Sequence, residues 1–283
     1  MGEVLIKGLE PVRPGIIAAL HSETLADAAG IAAGRIPVQF CADERDLESC
    51  LGGSQTPILL AELGARTSTL MLSRLISGHG LPVIAMLPSG PLPISQIISL
   101  ALSQTRFELA HDVSELSGAI RLVQAQGMVD CEVGEIARAL SWRIDRHSLE
   151  DVLGMLILGR RRTSVGEALA RLERTAVLRT ALRERSLPTP ARLLGWGCAF
   201  HLVWQVERYG RDFAAAARLL GFESSRHASD AIKFHTGLAA MSVLRGPGFQ
   251  GILDEFVRRL GYAEGIPALS TTLNATNYLR ICS

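Results

Sequence analysis

The chain has 283 residues, roughly twice the commonest domain size, so two domains are expected. With 48% hydrophobic and 20% charged residues it is a foldable globular composition, which excludes an intrinsically disordered chain, and a net charge of +1 by itself selects no partner. The charge is unevenly divided: residues 1–125 hold 8 Lys and Arg against 12 Asp and Glu (net −4), and residues 141–245 hold 17 against 10 (net +7). A basic segment of this size is what a phosphate backbone attracts, and ordinary surface solvation accounts for the same count equally well.

From the N-terminus, no basic stretch followed by an apolar core opens the chain, since Glu3 and Glu10 interrupt it. The most apolar stretch, Leu81 to Leu102, is broken by Pro82, Pro88, Pro91 and Pro93 and does not form one membrane helix. The expectation is a soluble, cytoplasmic protein. The five cysteines, Cys41, Cys50, Cys131, Cys198 and Cys282, form no C-x-x-C pair, which argues against a disulfide framework and a structural zinc site. They read as small buried hydrophobes.

Short apolar runs then alternate with helical patterns. Gly15–Leu20, Pro37–Cys41, Pro57–Ala61, Leu81–Leu87 and Phe107–Ala110 read as strands. Helices are expected at 24–33, 43–51, 69–77, 94–103 and 113–125, the last capped by Asp112 or Ser114. Five runs alternating with helices predict a five-stranded parallel sheet covered on both faces, in a flavodoxin-like α/β arrangement.

Beyond residue 126 the strand signals stop. Glu132–Arg143 reads as a joining helix, and every periodic segment from Ser148 to Thr236 is helical. Pro188-Thr189-Pro190 sets a cap before a long helix that stops at Gly210. Asp212 caps a short helix ending at Gly221, and Ser224 caps another ending at Gly237. Two short helices around a tight glycine turn form a helix-turn-helix signature. The tail from Met241 shows one amphipathic helix, 249–260, and a polar segment, 271–277. The division is an α/β domain over 1–126, a helical linker over 127–149 and an all-α domain over 150–283.

The segment Asp212–Leu238 is the most informative. Its alanines keep the first short helix thin, Gly221 permits a left-handed turn, and Phe222 plugs the angle between the helices. In the second helix Ala228, Ala231 and Ile232 share a core face, while Ser225, Arg226, His227, Ser229, Asp230 and Lys233 form a polar one. Such a face suits the major groove: Arg pairs bidentately with guanine, Ser with several bases, and Lys reaches phosphate. A solvated face of a helical bundle has the same pattern.

The run Ala217-Arg-Leu-Leu-Gly-Phe-Glu-Ser-Ser225, continued by Ile232-Lys-Phe-His-Thr-Gly-Leu238, resembles the second helix-turn-helix of the AraC/XylS family of bacterial transcription regulators. Leu187–Leu194 and the long helix to Tyr209 resemble that family's linker helix, and the likeness covers about residues 150–240. The resemblance implies two helix-turn-helix units contacting double-stranded DNA, with RNA polymerase as a second candidate partner. It places the first unit over Thr163–Arg185, its second helix carrying Arg174, Thr175, Arg179 and Arg183. That unit departs from the family pattern, because its turn around 171–175 is short and lacks glycine. Phosphate contact is the favoured role for its arginines. Arg160-Arg161-Arg162, just before it, reads as a phosphate anchor or a surface charge run.

The βα order also resembles response-regulator receiver domains at the level of fold. Receivers need an acidic pair after the first strand, an aspartate ending the third and a lysine ending the fifth. This chain has His21-Ser22, Glu62 and Ala110-His111-Asp112 instead, so no magnesium site and no phosphorylation are expected. What is left is a degenerate receiver that dimerises or binds a partner, or offers a small-molecule pocket at the strand ends. Neither Gly8–Pro11 nor Gly52–Ser54 has a nucleotide fingerprint.

No catalytic motif appears, and neither a catalytic site, a metal nor a cofactor is expected. His201 reads as a packed histidine, His227 and His235 are too far apart to chelate, and Trp142, Trp196 and Trp204 read as core anchors. The expected function is sequence-specific transcription regulation by a homodimer. The alternative is a protein-interaction adaptor whose helix-turn-helix domain no longer binds DNA.

Overall fold

The computed structural model describes residues 17–20, 22–34, 36–51, 58–64, 72, 81–102, 107–126, 131–173 and 176–263. The strands are β1 (Ile17–Leu20), β2 (Val38–Cys41), β3 (Ile58–Glu62), β4 (Val83–Met86) and β5 (Phe107–Ala110). The helices alternating with them are α1 (Glu23–Ala33), α2 (Glu44–Leu51), α3 (Ile94–Leu102) and α4 (Val113–Gln126). All five strands are parallel, in the order β2-β1-β3-β4-β5. This is the flavodoxin-like order, and the chain reverses direction across the sheet between β1 and β3. The helix expected at 69–77 lies, apart from the buried Leu72, outside the described residues.

The apolar runs of β1, β3 and β4 are continuous because both faces of the sheet are covered there, whereas the edge strand β2 leaves Gln39 and Phe40 exposed. Ile17, Ala19, Ile58, Leu60, Ile84 and Met86 point to one face, where Leu25 and Ala29 of α1 and Leu116, Ala119 and Ile120 of α4 cover them. Ala18, Leu20, Leu59, Ala61, Val83 and Ala85 point to the other, where α2 contributes Leu47 and α3 contributes Ile97, Ile98 and Ala101. That second layer of core does not end with the sheet. It runs on through Val133, Ile136, Ala137 and Leu140 into the helical half, making one hydrophobic body.

The helical half comprises α5 (Glu132–Ser141), α6 (Arg146–Leu158), α7 (Val165–Arg171), α8 (Ala176–Glu184), α9 (Pro190–Glu207), α10 (Phe213–Leu219), α11 (Ser225–Thr236), α12 (Ala240–Arg245) and α13 (Gly248–Ala263). The segment read as a linker is thus a buried helix, α5, packed on α3. Helix α9 is enclosed on nearly every side, so its apolar residues wrap all round it. It crosses α6 backbone to backbone. A Cβ at Gly197 would collide with the Leu156 carbonyl oxygen, and one at Gly159 with that of Leu194. On the side facing α13, Trp196, Phe200 and Trp204 meet Phe249 and Phe256, with ring centroids 4.8 Å apart for Trp204–Phe249 and 5.1 Å for Trp196–Phe256.

Two expectations are corrected. Trp142 anchors no core: it follows the end of α5 and is 91% exposed. The tail holds two helices rather than one, because the short α12 precedes α13. The 271–277 segment, Gly8–Pro11 and Gly52–Ser54 lie outside the described residues.

Candidate nucleic-acid interface

Local sequence rules build α10 and α11. The Asp212 carboxylate accepts from the Ala214 and Ala215 amides, and the Ser224 hydroxyl accepts from His227 N at 3.2 Å. Between the helices Gly221 takes φ +84°, a conformation costly to any residue with a Cβ. Ala216 and Ala217 are fully buried, which lets α11 lie close, and Phe222 packs partly buried beneath the Arg162 guanidinium at 5.9 Å. Gly237, left-handed at φ +79°, stops α11.

Helix α11 buries Ala228 and Ile232 and turns Ser225, Arg226, His227, Asp230 and Lys233 outward, with Ser229 half-buried between the faces. Sequence reasoning missed Phe234, which is 76% exposed and shares the outward face with Arg226, Asp230 and Lys233 at helical spacing. The C-terminal end of the helix is held by α13. Arg259 donates to the carbonyls of His235 (2.7 Å) and Thr236 (3.2 Å) and stacks over Trp196 at 5.5 Å. A cation there satisfies terminal carbonyls and complements the helix dipole.

A second helix pair, α7 and α8, lies at the start of the bundle. Ser164 and Glu167 form a reciprocal capping box on α7. The turn to α8 has no glycine, and Glu173 adopts the left-handed conformation itself, at φ +54°. Helix α8 buries Leu178 and Leu182 and exposes Arg179, Thr180 and Arg183. Arg174 and Thr175 lie outside the described residues. Arg179, Thr180 and Arg183, with Ser186, Thr189 and the N-terminal turn of α9, line an open cleft of about 590 Å³.

The Arg160–Arg162 run divides three ways, contrary to both readings of it. Arg162 is exposed. Arg161 pairs with Asp112 (2.5 Å) and Glu115 (3.3 Å) of the sheet domain. Arg160 is 1% exposed and sits in a buried polar cluster between the sheet and the helices. Its guanidinium lies 3.2 Å from Glu132 of α5 and 3.9 Å from Glu108 of β5, and donates to the Leu109 carbonyl at 3.4 Å. His201 of α9, wholly buried, places Nδ1 2.6 Å from Glu132 Oε2 and Nε2 3.7 Å from Glu115.

A ring nitrogen so close to a carboxylate carries the proton, so Arg160 Nε, 3.0 Å from that nitrogen, is partnered by the Glu132 oxygen it shares. Burial and Arg160 push the imidazole pKa down, and Glu132 and Glu115 outweigh them and raise it. The Nε2 side of the ring faces Glu115 and Gln205. Turning over the Gln205 amide, now 3.1 Å away through nitrogen, brings its otherwise unpaired Oε1 there.

Glu108 and Glu115 sit in different fields. Burial pushes Glu108 up to about 7, against the pull of Arg160 and a hydrogen bond from Tyr209. Burial would raise Glu115 too, but His201 and Arg160 hold it well below the usual carboxylate range. His111, its Nε2 buried without a partner, is pushed down to about 3 by burial and by Arg160. His201 is therefore a packed residue, as expected, though its partners are charged. Among the described residues no group of His, Cys, Asp and Glu is arranged to hold a metal ion, and no helix is long and apolar enough to cross a membrane.

At the sheet's carboxyl edge, Ser22 accepts from Leu25 N as the cap of α1, Glu62 ends β3 exposed, and Asp112 both caps α4 and pairs with Arg161. His21 lies outside the described residues. Comparison of the chain with protein-family models, with curated proteins and with solved structures finds no match.

Proposed function

We propose that this chain is a sequence-specific DNA-binding transcription regulator whose helical half carries two helix-turn-helix units of the AraC/XylS kind. The observation that carries the reading is α11: a capped helix after a glycine turn, with Ala228 and Ile232 buried and Ser225, Arg226, His227, Asp230 and Lys233 outward. Arg226 supplies a bidentate donor for a guanine edge, Lys233 a phosphate contact, and Phe234 an apolar contact for a thymine methyl group. In the first unit, Arg179 and Arg183 with the hydroxyls of the adjoining cleft suit backbone phosphates. Arg174 and Thr175 belong to the same proposed surface.

The sheet domain is read as a degenerate receiver that pairs two copies on repeated half-sites, with RNA polymerase as a further partner. In support, the positions where receiver chemistry needs an acidic pair and a phosphoryl acceptor hold a helix cap, Ser22, and an exposed glutamate, Glu62. No catalytic role is assigned.

The test is selection from a random DNA library with the full-length protein, repeated with Arg226→Ala and Lys233→Ala. The expected result is enrichment of one motif. Arg226→Ala should relax one position in it at a cost of about 1–3 kcal/mol, and Lys233→Ala should weaken all sites alike and lower the salt slope by about one. Binding that is absent or flat across sequences would move the reading to a protein-interaction adaptor.

A further inference from the structure

Cys41 ends the edge strand β2 and is fully buried, and Cys50 stands in the last turn of α2, half-buried. Their sulfurs are 3.5 Å apart, and both are thiols. The strand-to-helix connection that sets this approach is firmly built. Asp43 accepts from the amides of Arg45 (2.8 Å) and Asp46 (3.0 Å), and Asp46 in turn accepts from Ala42 N at 3.0 Å. The two sulfurs are thus already in van der Waals contact, held by a hydrogen-bonded connection of eight residues.

We propose that Cys41 and Cys50 are a redox-modified pair, which a hydroperoxide converts to a reversible disulfide tying the end of β2 to the last turn of α2. Cys50, the more accessible sulfur, attacks one peroxide oxygen. The O–O bond breaks, the departing hydroxide takes up a proton to leave as water, and Cys50 becomes a sulfenic acid. The Cys41 sulfur then attacks the Cys50 sulfur, the S–O bond breaks, and the second hydroxide leaves as water with the Cys41 proton. Two thiols and one hydrogen peroxide give one disulfide and two waters: the sulfurs lose the two electrons that the peroxide gains. A dithiol reductant reverses the modification.

The order of attack follows from the surroundings. Burial, the Cys50 sulfur and the carboxylates of Asp46 and Asp43 push the Cys41 thiol up to about 12, so it acts second, on a sulfur already activated. Cys131 and Cys198 are buried, burial pushes both thiols up, and among the described residues neither faces another thiol.

The experiment treats the reduced full-length protein with hydrogen peroxide, blocks remaining thiols and digests with trypsin without reductant. Cleavage after Arg45 puts the two cysteines on separate peptides, 36–45 and 46–66. The expected product is these two peptides joined, lighter than their sum by two hydrogens and separated by a dithiol. In Cys41→Ser, Cys50 should be trapped as a sulfenic acid by a 1,3-dione probe, and in Cys50→Ser, Cys41 should stay reduced. Peptides that never join, or a sulfinic acid on Cys50 beside a free Cys41 in the wild type, would overturn the proposal. The wild-type digest needs no variant to fold.

Discussion

Replacing Arg160 with methionine tests the central packing argument, because it keeps much of the aliphatic bulk and deletes the charge. At an effective dielectric of ~20, contacts of 3.2 Å to Glu132 and 3.9 Å to Glu108 correspond to gross attractions of ~5 and ~4 kcal/mol, most of which repays desolvation. What a measurement sees is the cost of leaving buried carboxylates unpaired, about 3–5 kcal/mol. The cost has a pH signature. Glu108 is raised from 4.5 to about 7, so its contribution to stability is complete below pH 4.5 and is lost as pH rises through 7. Without Arg160, both Glu108 and His201 hold protons to higher pH in the folded state, because Arg160 lowers both pKa values. The variant's deficit therefore grows from pH 5 to pH 8. Urea unfolding followed by tryptophan fluorescence across that range measures it, and adding Glu132→Gln should recover ~1 kcal/mol or more. A loss under ~1 kcal/mol, or one that does not change with pH, would refute the account of the cluster.

Gly197→Ala isolates the α6–α9 crossing. In an exposed helix this change would stabilise by roughly 1 kcal/mol, whereas a Cβ against the Leu156 carbonyl should destabilise by about 3 kcal/mol, so the sign of the shift in denaturation midpoint decides. His111→Asn bears on acid stability. The wild-type imidazole stays neutral down to about 3 while the unfolded chain binds a proton from 6.5, so stability is full above pH 6.5 and falls below it by up to roughly 1.4 kcal/mol per pH unit. The asparagine variant should flatten that slope in unfolding titrations between pH 6.5 and 4, and an unchanged slope would show that the ring takes up its proton in the folded state.

How far these features are legible in sequence depends on the range of the interaction. Caps and turns are local. Asp212, Ser224, Thr189 and Gly237 sit where a side chain meets an amide two or three residues away, or where only one residue type takes the backbone angle cheaply, and the structure places each at its expected helix end. The parallel sheet is legible because burial on both faces makes its strands apolar without alternation. The buried cluster is not legible. Glu108, Glu115, Glu132, Arg160 and His201 come from five separate segments, and within Arg160-Arg161-Arg162 no local pattern distinguishes the buried guanidinium from the exposed one. Trp142 fails for a related reason: hydrophobicity says that a residue gains from burial, and nothing in the position just past a helix end says that a partner is there. Of the candidate interface, the outward face of α11 follows from its period, which also carries Phe234, an apolar residue that reading for polar side chains passes over, while the cleft beside Arg179 and Arg183 depends on how the helices pack.

The two helix pairs are held by different parts of the molecule. Arg171, at the end of α7, donates to the carbonyls of Pro88 (2.7 Å) and Gly90 (3.2 Å), and Leu92 N donates to the Arg171 carbonyl at 2.9 Å. The loop after β4 therefore clamps the turn that sets α8. Among the described residues helix α11 has no such tie to that loop; its end is fixed by Arg259 of α13 and its buried side by α9. That loop leaves the carboxyl edge of the sheet, where doubly wound folds take their ligands, so this edge touches the turn before α8 directly. The main-chain bond from Arg162 N to the Leu220 carbonyl, 3.2 Å, joins the start of the first pair to the turn of the second. On the DNA-binding reading, Arg179 and Arg183 are set from the sheet side, and Arg226 and Lys233 from α9 and α13.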